Sequence, residues 1–271
     1  YIGYRYYETR YADSVLGQGK ATSTAGARNS KNGWNYDEEV AFPFGYGVSY
    51  TTFDYSDFKV EKNGDNYEVS VTVKNSGNCD GKEVVHVYMQ KPYTAYDKQK
   101  GLEKPAIELA GYAKTSLLKK GDSETVKITV KGEDFKTFDN TYNNYEGRYI
   151  LEAGDYYLTV GTDAHVALNN VLKNQGKEVG DQKVMSGDTK QVKFTGENVY
   201  KVTLSQDNEK YLNSTYTGVK ITNKLSYGDI NLYENRGENS TTYLIRSDWE
   251  GTYPERVILT MNSNMKADLG Y

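Results

Sequence analysis

The chain has 271 residues, with 33 lysines and arginines against 37 aspartates and glutamates, a formal net charge of −4 and one cysteine. The charges are interspersed, so no basic stripe favours nucleic-acid binding, and no apolar run approaches the roughly 18 residues that span a bilayer. A lone cysteine excludes an internal disulfide, which favours a cytoplasmic setting over a secreted one.

The N-terminal part combines an aromatic segment with a polar one. Residues 1–8, YIGYRYYE, are predicted to form a strand whose tyrosines join a core. Residues 11–41 are rich in Gly, Ser, Asn and Ala, which predicts a long surface loop. Trp34 and Tyr36 lie in that loop and are candidate substrate-binding residues, because an exposed aromatic face can stack on a sugar ring. The alternative is that both rings pack onto a neighbouring domain.

The middle of the chain has the period of two that is typical of half-buried strands. Residues 67–73 alternate apolar and polar side chains, and Asn63-Gly64-Asp65 before them predicts a hairpin turn. Further strands are predicted at residues 83–89, 106–113, 126–130 and 156–160, with one short helical turn within 132–138. Several short strands separated by turn signals predict a β-sandwich.

The C-terminal part is less regular. A capping residue, Asp163, precedes a predicted short helix that extends to residue 173. Residues 174–192 are polar and are expected to be irregular, a strand restarts at residues 200–204, and short strand signals continue towards residue 271.

Several ordered stretches resemble glycoside hydrolase family 3. They are residues 1–8, YIGYRYYE; 42–53, FPFGYGVSYTTF; 71–85, VTVKNSGNCDGKEVV; 108–114, ELAGYAK; and 154–161, GDYYLTVG. The first two are similar to the segments that lead out of the family's α/β sandwich domain, and the others to strands of its fibronectin type III-like domain. The resemblance spans roughly residues 1–163 and suggests a bacterial protein.

Two later stretches resemble the circularly permuted members of that family. They are residues 165–172, HVALNNVL, and 242–254, TYLIRSDWEGTYP. In those members the α/β sandwich domain comes first and a TIM barrel comes last. The resemblance therefore implies a chain cut from a longer parent, lying between two catalytic domains that are its partners.

The resulting fold prediction is an all-β chain with a fibronectin type III-like, immunoglobulin-like sandwich. Four parts are expected: a linker segment (1–50), the sandwich (51–163), a helical or irregular excursion (164–200) and a β-rich extension towards a TIM barrel (201–271).

The resemblance implies a parent that hydrolyses β-glucosides or short oligosaccharides with retention of configuration, using two carboxyl groups about 5 Å apart. Because the family carries its nucleophile in the barrel and its acid/base on the α/β sandwich domain, no catalytic residue is predicted here, and the chain alone is expected to be inactive. Ser247-Asp248-Trp249 is similar to the segment around the family's nucleophile. Arg246 replaces the expected apolar strand residue and no helix pattern follows, so we predict that Asp248 is not catalytic.

The remaining reactive side chains predict no metal site and no cofactor. His86 and His165 are far apart with no partner at ligand spacing, and Cys79 lies in a turn without a nearby histidine. The function predicted is therefore a non-catalytic scaffold that positions the catalytic domains. A carbohydrate-binding β-sandwich module is the alternative, and an adhesin-like surface domain is a third possibility that does not explain residues 42–53.

Overall fold

A computed structural model provides the structure of the chain. It describes residues 3–28, 31–143, 146–179, 193–205, 209–214, 216–225, 228, 243–250 and 263–270. Among the helices of these residues, none has the length and apolar character needed to cross a membrane.

A first four-stranded sheet contains the predicted hairpin. Its strands, in spatial order, are Ser123–Val130 (β5), Asn66–Asn75 (β2), Phe53–Asn63 (β1) and Lys193–Thr195 (β9). Neighbours are antiparallel except β9, which runs parallel to β1. Asn63 pairs with Asn66 across a two-residue turn in which Gly64 has a φ of 60°, so the hairpin prediction is confirmed.

A second four-stranded sheet packs face to face on the first. Its strands, in spatial order and all antiparallel, are Val199–Leu204 (β10), Gly154–Gly161 (β8), Val84–Gln90 (β3) and Glu108–Lys114 (β4). The alternating valines of β2 lie fully buried against those of β3 and β8. Burial of these side chains, each contributing about 1.5–3 kcal/mol, is the main stabilising term of the sandwich.

The outer face of the second sheet is also buried. Tyr88 of β3 and Tyr157 of β8 point away from the sandwich core and contact a helical layer. Burial on both faces explains why residues 83–89 read as a nearly continuous apolar run rather than a clean alternation.

The helical layer has two main members. The described helices are Tyr4–Val15 (α1), Tyr36–Glu39 (α2), Ala95–Lys100 (α3), Ala164–Asn174 (α4) and Ser263–Asp268 (α5). Helix α4 packs on β8, and α1 packs on α4. The predicted helix after Asp163 is confirmed, with that residue as its N-cap.

A small third sheet lies beside the sandwich. It contains Glu209–Tyr211 (β11), Arg148–Leu151 (β7) and Thr137–Asp139 (β6), in that spatial order. A 3₁₀ helix at Gly132–Phe135 confirms the predicted helical turn between strands.

The first segment of the chain departs from the prediction. Residues 4–15 form α1 rather than a strand, and residues 11–41 are not a surface loop throughout, since they include the end of α1 and the short helix α2. The side chains that α1 buries are mostly polar, at positions 8, 9, 10 and 13. Hydrophobic periodicity cannot detect a helix whose buried face is polar, and the many tyrosines favoured a strand.

The sandwich prediction is confirmed, but the chain is not all-β, because α1 and α4 form a layer on the second sheet. Strands β9 and β10 add an edge to each sheet, so strands of the sandwich also come from beyond residue 163. Within the predicted extension, residues 206–208, 215, 226–227, 229–242, 251–262 and 271 lie outside the described residues. The boundaries between the four predicted parts stay predictions.

Candidate functional site: a buried polar junction around the first helix

Helix α1 buries an unusual set of polar side chains. Glu8, Thr9, Arg10 and Asp13 are all essentially inaccessible to solvent. A buried charge without a partner costs several kcal/mol, so a helix of this kind is stable only where neighbouring segments provide partners. We call the resulting set of contacts the polar junction.

Glu8 connects three helices. Its Oε2 lies 2.9 Å from Nδ1 of His165 on α4, and its Oε1 accepts a hydrogen bond from the Tyr36 hydroxyl on α2. The Tyr36 ring also stacks on the His165 imidazole, with 3.9 Å between centroids and 16° between planes. Burial, together with the Glu8 carboxylate, raises the pKa of Tyr36 far above its usual range, so the hydroxyl remains a hydrogen-bond donor at neutral pH.

Two further groups surround this cluster. The Tyr11 hydroxyl donates to Oδ1 of Asn169 at 2.8 Å, and burial raises the pKa of Tyr11 to about 12. Oδ1 of Asp163 accepts the backbone N–H of Val166 at 2.8 Å and caps α4. Burial raises the pKa of Asp163 to about 6.

Arg10 orders the segment that follows α1. Its guanidinium donates to three backbone carbonyls, those of Ala21 at 2.7 Å, Ser23 at 2.9 Å and Ala25 at 2.6 Å. The same group lies 5.2 Å from the Trp34 ring centroid and 5.4 Å from that of Trp249. One buried side chain therefore holds a stretch with little regular secondary structure against the helix.

Asp13 binds the far end of the chain. Its Oδ1 accepts from Nη2 of Arg246 at 2.9 Å and its Oδ2 from Nε at 3.0 Å, a bidentate ion pair between residues 233 positions apart. The indole N–H of Trp249 donates to the same Oδ2 at 2.9 Å. Arg246 also donates to the carbonyl of Lys104 at 2.8 Å.

Lys104 continues the junction into the sandwich. Its buried ammonium pairs with Asp97 Oδ2 at 2.8 Å and with Glu152, and it donates to the carbonyl of Pro92 at 3.0 Å. Burial raises the pKa of the Glu152 carboxyl group despite the opposing effect of Lys104. Charged groups from α1, from α3, from Glu152 just after β7 and from the C-terminal segment thus form one connected polar interior.

This arrangement suits a structural role better than acid–base chemistry. A retaining glycosidase needs two carboxyl groups about 5 Å apart that a substrate can reach. Glu8 and Asp13 are buried and already engaged by His165 and Arg246. Within the described residues, no three side chains of the metal-binding types come together in a way that could hold a metal ion.

The two predicted substrate-binding residues lie inside the chain. Trp34 and Tyr36 are 4% and 3% exposed, and their rings pack edge to face with 6.4 Å between centroids. Both contact α1 rather than solvent, through Arg10 and Glu8. Sugar contact by these residues stays a prediction. The observed burial favours the alternative that both rings pack against protein, and in this structure they pack against other parts of the same chain.

The other residues singled out by sequence have varied surroundings. Asp248 lies in a turn, where its Oδ1 accepts the backbone N–H of Glu250 at 2.8 Å. Cys79 is exposed. His86 lies on β3 and burial lowers its pKa. His165 was expected to have no partner at metal-ligand spacing, and its ring nitrogen contacts Glu8, 157 positions earlier. No apolar pattern marked Glu8, Arg10 or Asp13 as buried. The available clue in the sequence was the helical spacing of charged residues in the first segment.

The comparison with protein families defines the class of domain. Residues 83–164 match the fibronectin type III-like domain, in agreement with the paired sheets. The chain therefore carries a fibronectin type III-like domain.

Similarity to individual proteins covers more of the chain than the match to the domain family does. The chain is 36% identical over 177 residues to β-glucosidase A of Butyrivibrio fibrisolvens, covering 60% of this chain and 18% of that protein. It is 35% identical over 167 residues to a β-glucosidase of Kluyveromyces marxianus, covering 60% of this chain and 15% of that protein. A solved structure of β-glucosidase 3B from Thermotoga neapolitana aligns with a TM-score of 0.41 and 33% identity, over 52% of this chain and 20% of that one.

These matches confirm the resemblance to the fibronectin-like region of glycoside hydrolase family 3 β-glucosidases. The chain spans less than a fifth of the length of these two curated relatives, at 18% and 15%.

Proposed function

We propose that this chain is a non-catalytic scaffold segment of a retaining β-glycosidase of the β-glucosidase type. It lies between an α/β sandwich domain and a TIM barrel, as in the permuted arrangement, and fixes their relative placement. The parent hydrolyses β-glucosides or related oligosaccharides, and the substrate meets this segment only through the parent. Similarity to β-glucosidases over 177 and 167 residues supports the parent's reaction class.

The polar junction is the observation that carries the proposal. One helix, α1, binds the segment before the sandwich, the helix after it and residues 246–249. Both flanks of the sandwich are therefore fixed against a common element. Because errors of about 1 Å in the placement of reacting groups can reduce rates about a hundredfold, such fixation matters to catalysis without supplying chemistry.

Hydrolysis of an aryl β-glucoside tests this function. The chain alone is expected to show no turnover, whereas mixing it with separately produced α/β sandwich and TIM-barrel domains of the parent is expected to restore activity. Turnover by the isolated chain that is abolished in Asp248→Asn would overturn the scaffold proposal and place the nucleophile in this chain. A Ser247→Ala variant is the matched control for changes in the same turn.

One observation favours the alternative, a carbohydrate-binding role. Tyr149 and Tyr216, 40% and 70% exposed, line one groove of about 560 Å³ together with Tyr211. Exposed aromatic rings beside polar groups such as Asn213 are the features by which sandwiches bind sugars. Electrophoresis through gels containing soluble β-glucan would show retardation that Tyr149→Ala and Tyr216→Ala abolish and Tyr112→Ala, on β4, preserves. Equal migration with and without glucan would exclude this role.

A further inference from the structure

We propose that residues 243–250 are a docking peptide and that the surface which receives them is a specific binding site for an arginine and a tryptophan three residues apart. We call this surface the socket: it is formed by α1, residues 17–20 and residues 93–104. The proposal goes beyond the scaffold function, because it concerns recognition of a peptide whether or not the chain serves an enzyme.

Arg246 is recognised through all parts of its guanidinium. Besides the bidentate pair with Asp13 and the bond to the Lys104 carbonyl, the group lies 4.2 Å from the centroid of the Tyr93 ring. Its backbone N–H points to the Glu103 carboxylate, with 3.2 Å to each oxygen. The planar guanidinium binds both oxygens of the Asp13 carboxylate and stacks on the Tyr93 ring. A lysine ammonium cannot reproduce this geometry.

Trp249 fills the second part of the socket. It is among the largest fully buried side chains, its indole N–H reaches Asp13, and its ring meets Tyr6 edge to face at 6.1 Å. Asp13 therefore accepts hydrogen bonds from both anchor residues at once. This shared carboxylate makes recognition depend on the spacing of the arginine and the tryptophan.

The backbone of the segment is selected by the socket rather than by its own sequence. Trp249 has a φ of 58°, a left-handed conformation that is rare for a bulky residue. The carbonyl of Asp248 accepts the Lys20 N–H at 2.6 Å, next to Gly19, where an added Cβ would lie 2.5 Å from the same oxygen. A strained turn that meets a glycine at this distance is typical of a docked segment held by tertiary contacts.

The docked segment has a topological consequence. It places Trp249 beside Tyr6 and Asp13 of α1, although 233 positions separate Asp13 and Arg246. The chain that follows residue 250 therefore starts from a defined point next to the N-terminal helix. Because every contact between the segment and the socket is non-covalent, the interaction should persist after the intervening chain is cut.

Cleavage of the full chain tests the docking. A specific protease sequence is inserted between Gly228 and Tyr243, the chain is cut, and the pieces are separated by size exclusion at about 10 µM, where micromolar binding keeps them associated. The C-terminal piece is expected to co-elute with the N-terminal piece, which carries the socket and is called the body below. Arg246→Lys is expected to weaken its retention by about 30-fold or more, because lysine keeps the charge but cannot make the bidentate pair with Asp13 or stack on Tyr93. Ser247→Ala is expected to leave the retention unchanged.

A second measurement uses one variant of the full chain with an unmutated socket and compares the binding of two peptides. In the full-chain variant Arg246→Ala/Trp249→Ala, Asp13 and the rest of the socket remain, and circular dichroism checks that the variant is folded. A synthetic octapeptide of residues 243–250 is expected to bind it by calorimetry, whereas the same peptide with lysine at the arginine position is not. Release of the unmutated piece from a folded body, or equal binding of the two peptides, would overturn the proposal.

Discussion

At the scale of single residues, Asp163 has two roles with opposite electrostatic demands. As N-cap of α4 it accepts the Val166 N–H, which favours the charged form, yet its burial raises the pKa to about 6. Between about pH 4 and pH 6 the folded protein therefore binds a proton at this site that the unfolded chain does not. The contribution of Asp163 to stability is greatest below this interval and is lost as the pH rises through it.

Asp163→Asn should remove that pH dependence while retaining the cap, because an amide oxygen also accepts the Val166 N–H. Relative to this variant, the native chain is expected to lose on the order of 2–3 kcal/mol of unfolding free energy between pH 4 and pH 7. Urea unfolding across this range measures the difference. Glu8, His165, Tyr36 and Tyr88 face the same carboxyl group, and subtracting the two curves removes most of their contribution.

Asp155→Asn is the control for that measurement. The Lys201 ammonium lowers the pKa of the exposed Asp155 carboxyl, so its effect should be small and opposite in sign. Parallel pH curves for the native chain and Asp163→Asn would contradict the prediction.

At the scale of secondary-structure elements, the contact between β8 and α4 depends on Gly161. A Cβ at this position would lie 2.9 Å from the backbone nitrogen of Ala167 and 3.0 Å from the carbonyl oxygen of Asp163. These atoms belong to the helix backbone and its cap, so they cannot move as a flexible side chain could. Since α4 also carries His165, its distance from β8 affects the position of the polar junction.

Gly161→Ala should therefore destabilise the chain by about 1–3 kcal/mol, because the helix must shift away from the sheet. The urea midpoint measures this effect. Gly47→Ala is the matched control, since no heavy atom lies within 4 Å of its added Cβ. Equal midpoints for the two variants would show that the helix adjusts without cost.

At the scale of the whole molecule, an exposed apolar segment precedes the sandwich. Val48 and Tyr50 are 79% and 98% exposed, and Phe42 and Phe44 nearby are also exposed. Contiguous exposed apolar side chains mark surfaces that contact another protein body. In the proposed parent that body is one of the catalytic domains.

A Val48→Ser/Tyr50→Ser variant should leave the unfolding free energy of the chain within about 0.5 kcal/mol, because neither side chain is packed. The same variant should reduce the activity regained on mixing with the catalytic domains by tenfold or more. A tenfold loss of binding corresponds to about 1.4 kcal/mol, which is the order of what burial of a small apolar side chain contributes. Aryl β-glucosidase assays measure the reduction. Tyr112→Ser, which removes a ring that is 69% exposed on β4, should retain full activity. Equal activity of the two variants would exclude this surface as the contact.

Features that depend only on neighbouring residues could be predicted from the amino-acid sequence. The alternation at residues 67–73, the turn at Gly64 and the cap at Asp163 are local signals, because burial of alternate side chains, a positive φ and a free backbone N–H are satisfied within a few positions. The sandwich prediction followed from such signals, whereas the family resemblance rested on ordered stretches such as residues 42–53.

The polar junction and the burial of Trp34 and Tyr36 result from long-range contacts that no local pattern predicts. The partners of Glu8 and Asp13 lie 28, 157 and 233 positions away, at Tyr36, His165 and Arg246. A polar helix face has no apolar period, and an aromatic residue in a Gly-rich stretch looks exposed until Arg10 binds that stretch to α1. Long-range pairing of charges depends on which segments the fold brings together, and this is why α1 binds residues 246–249 although they lie far along the chain.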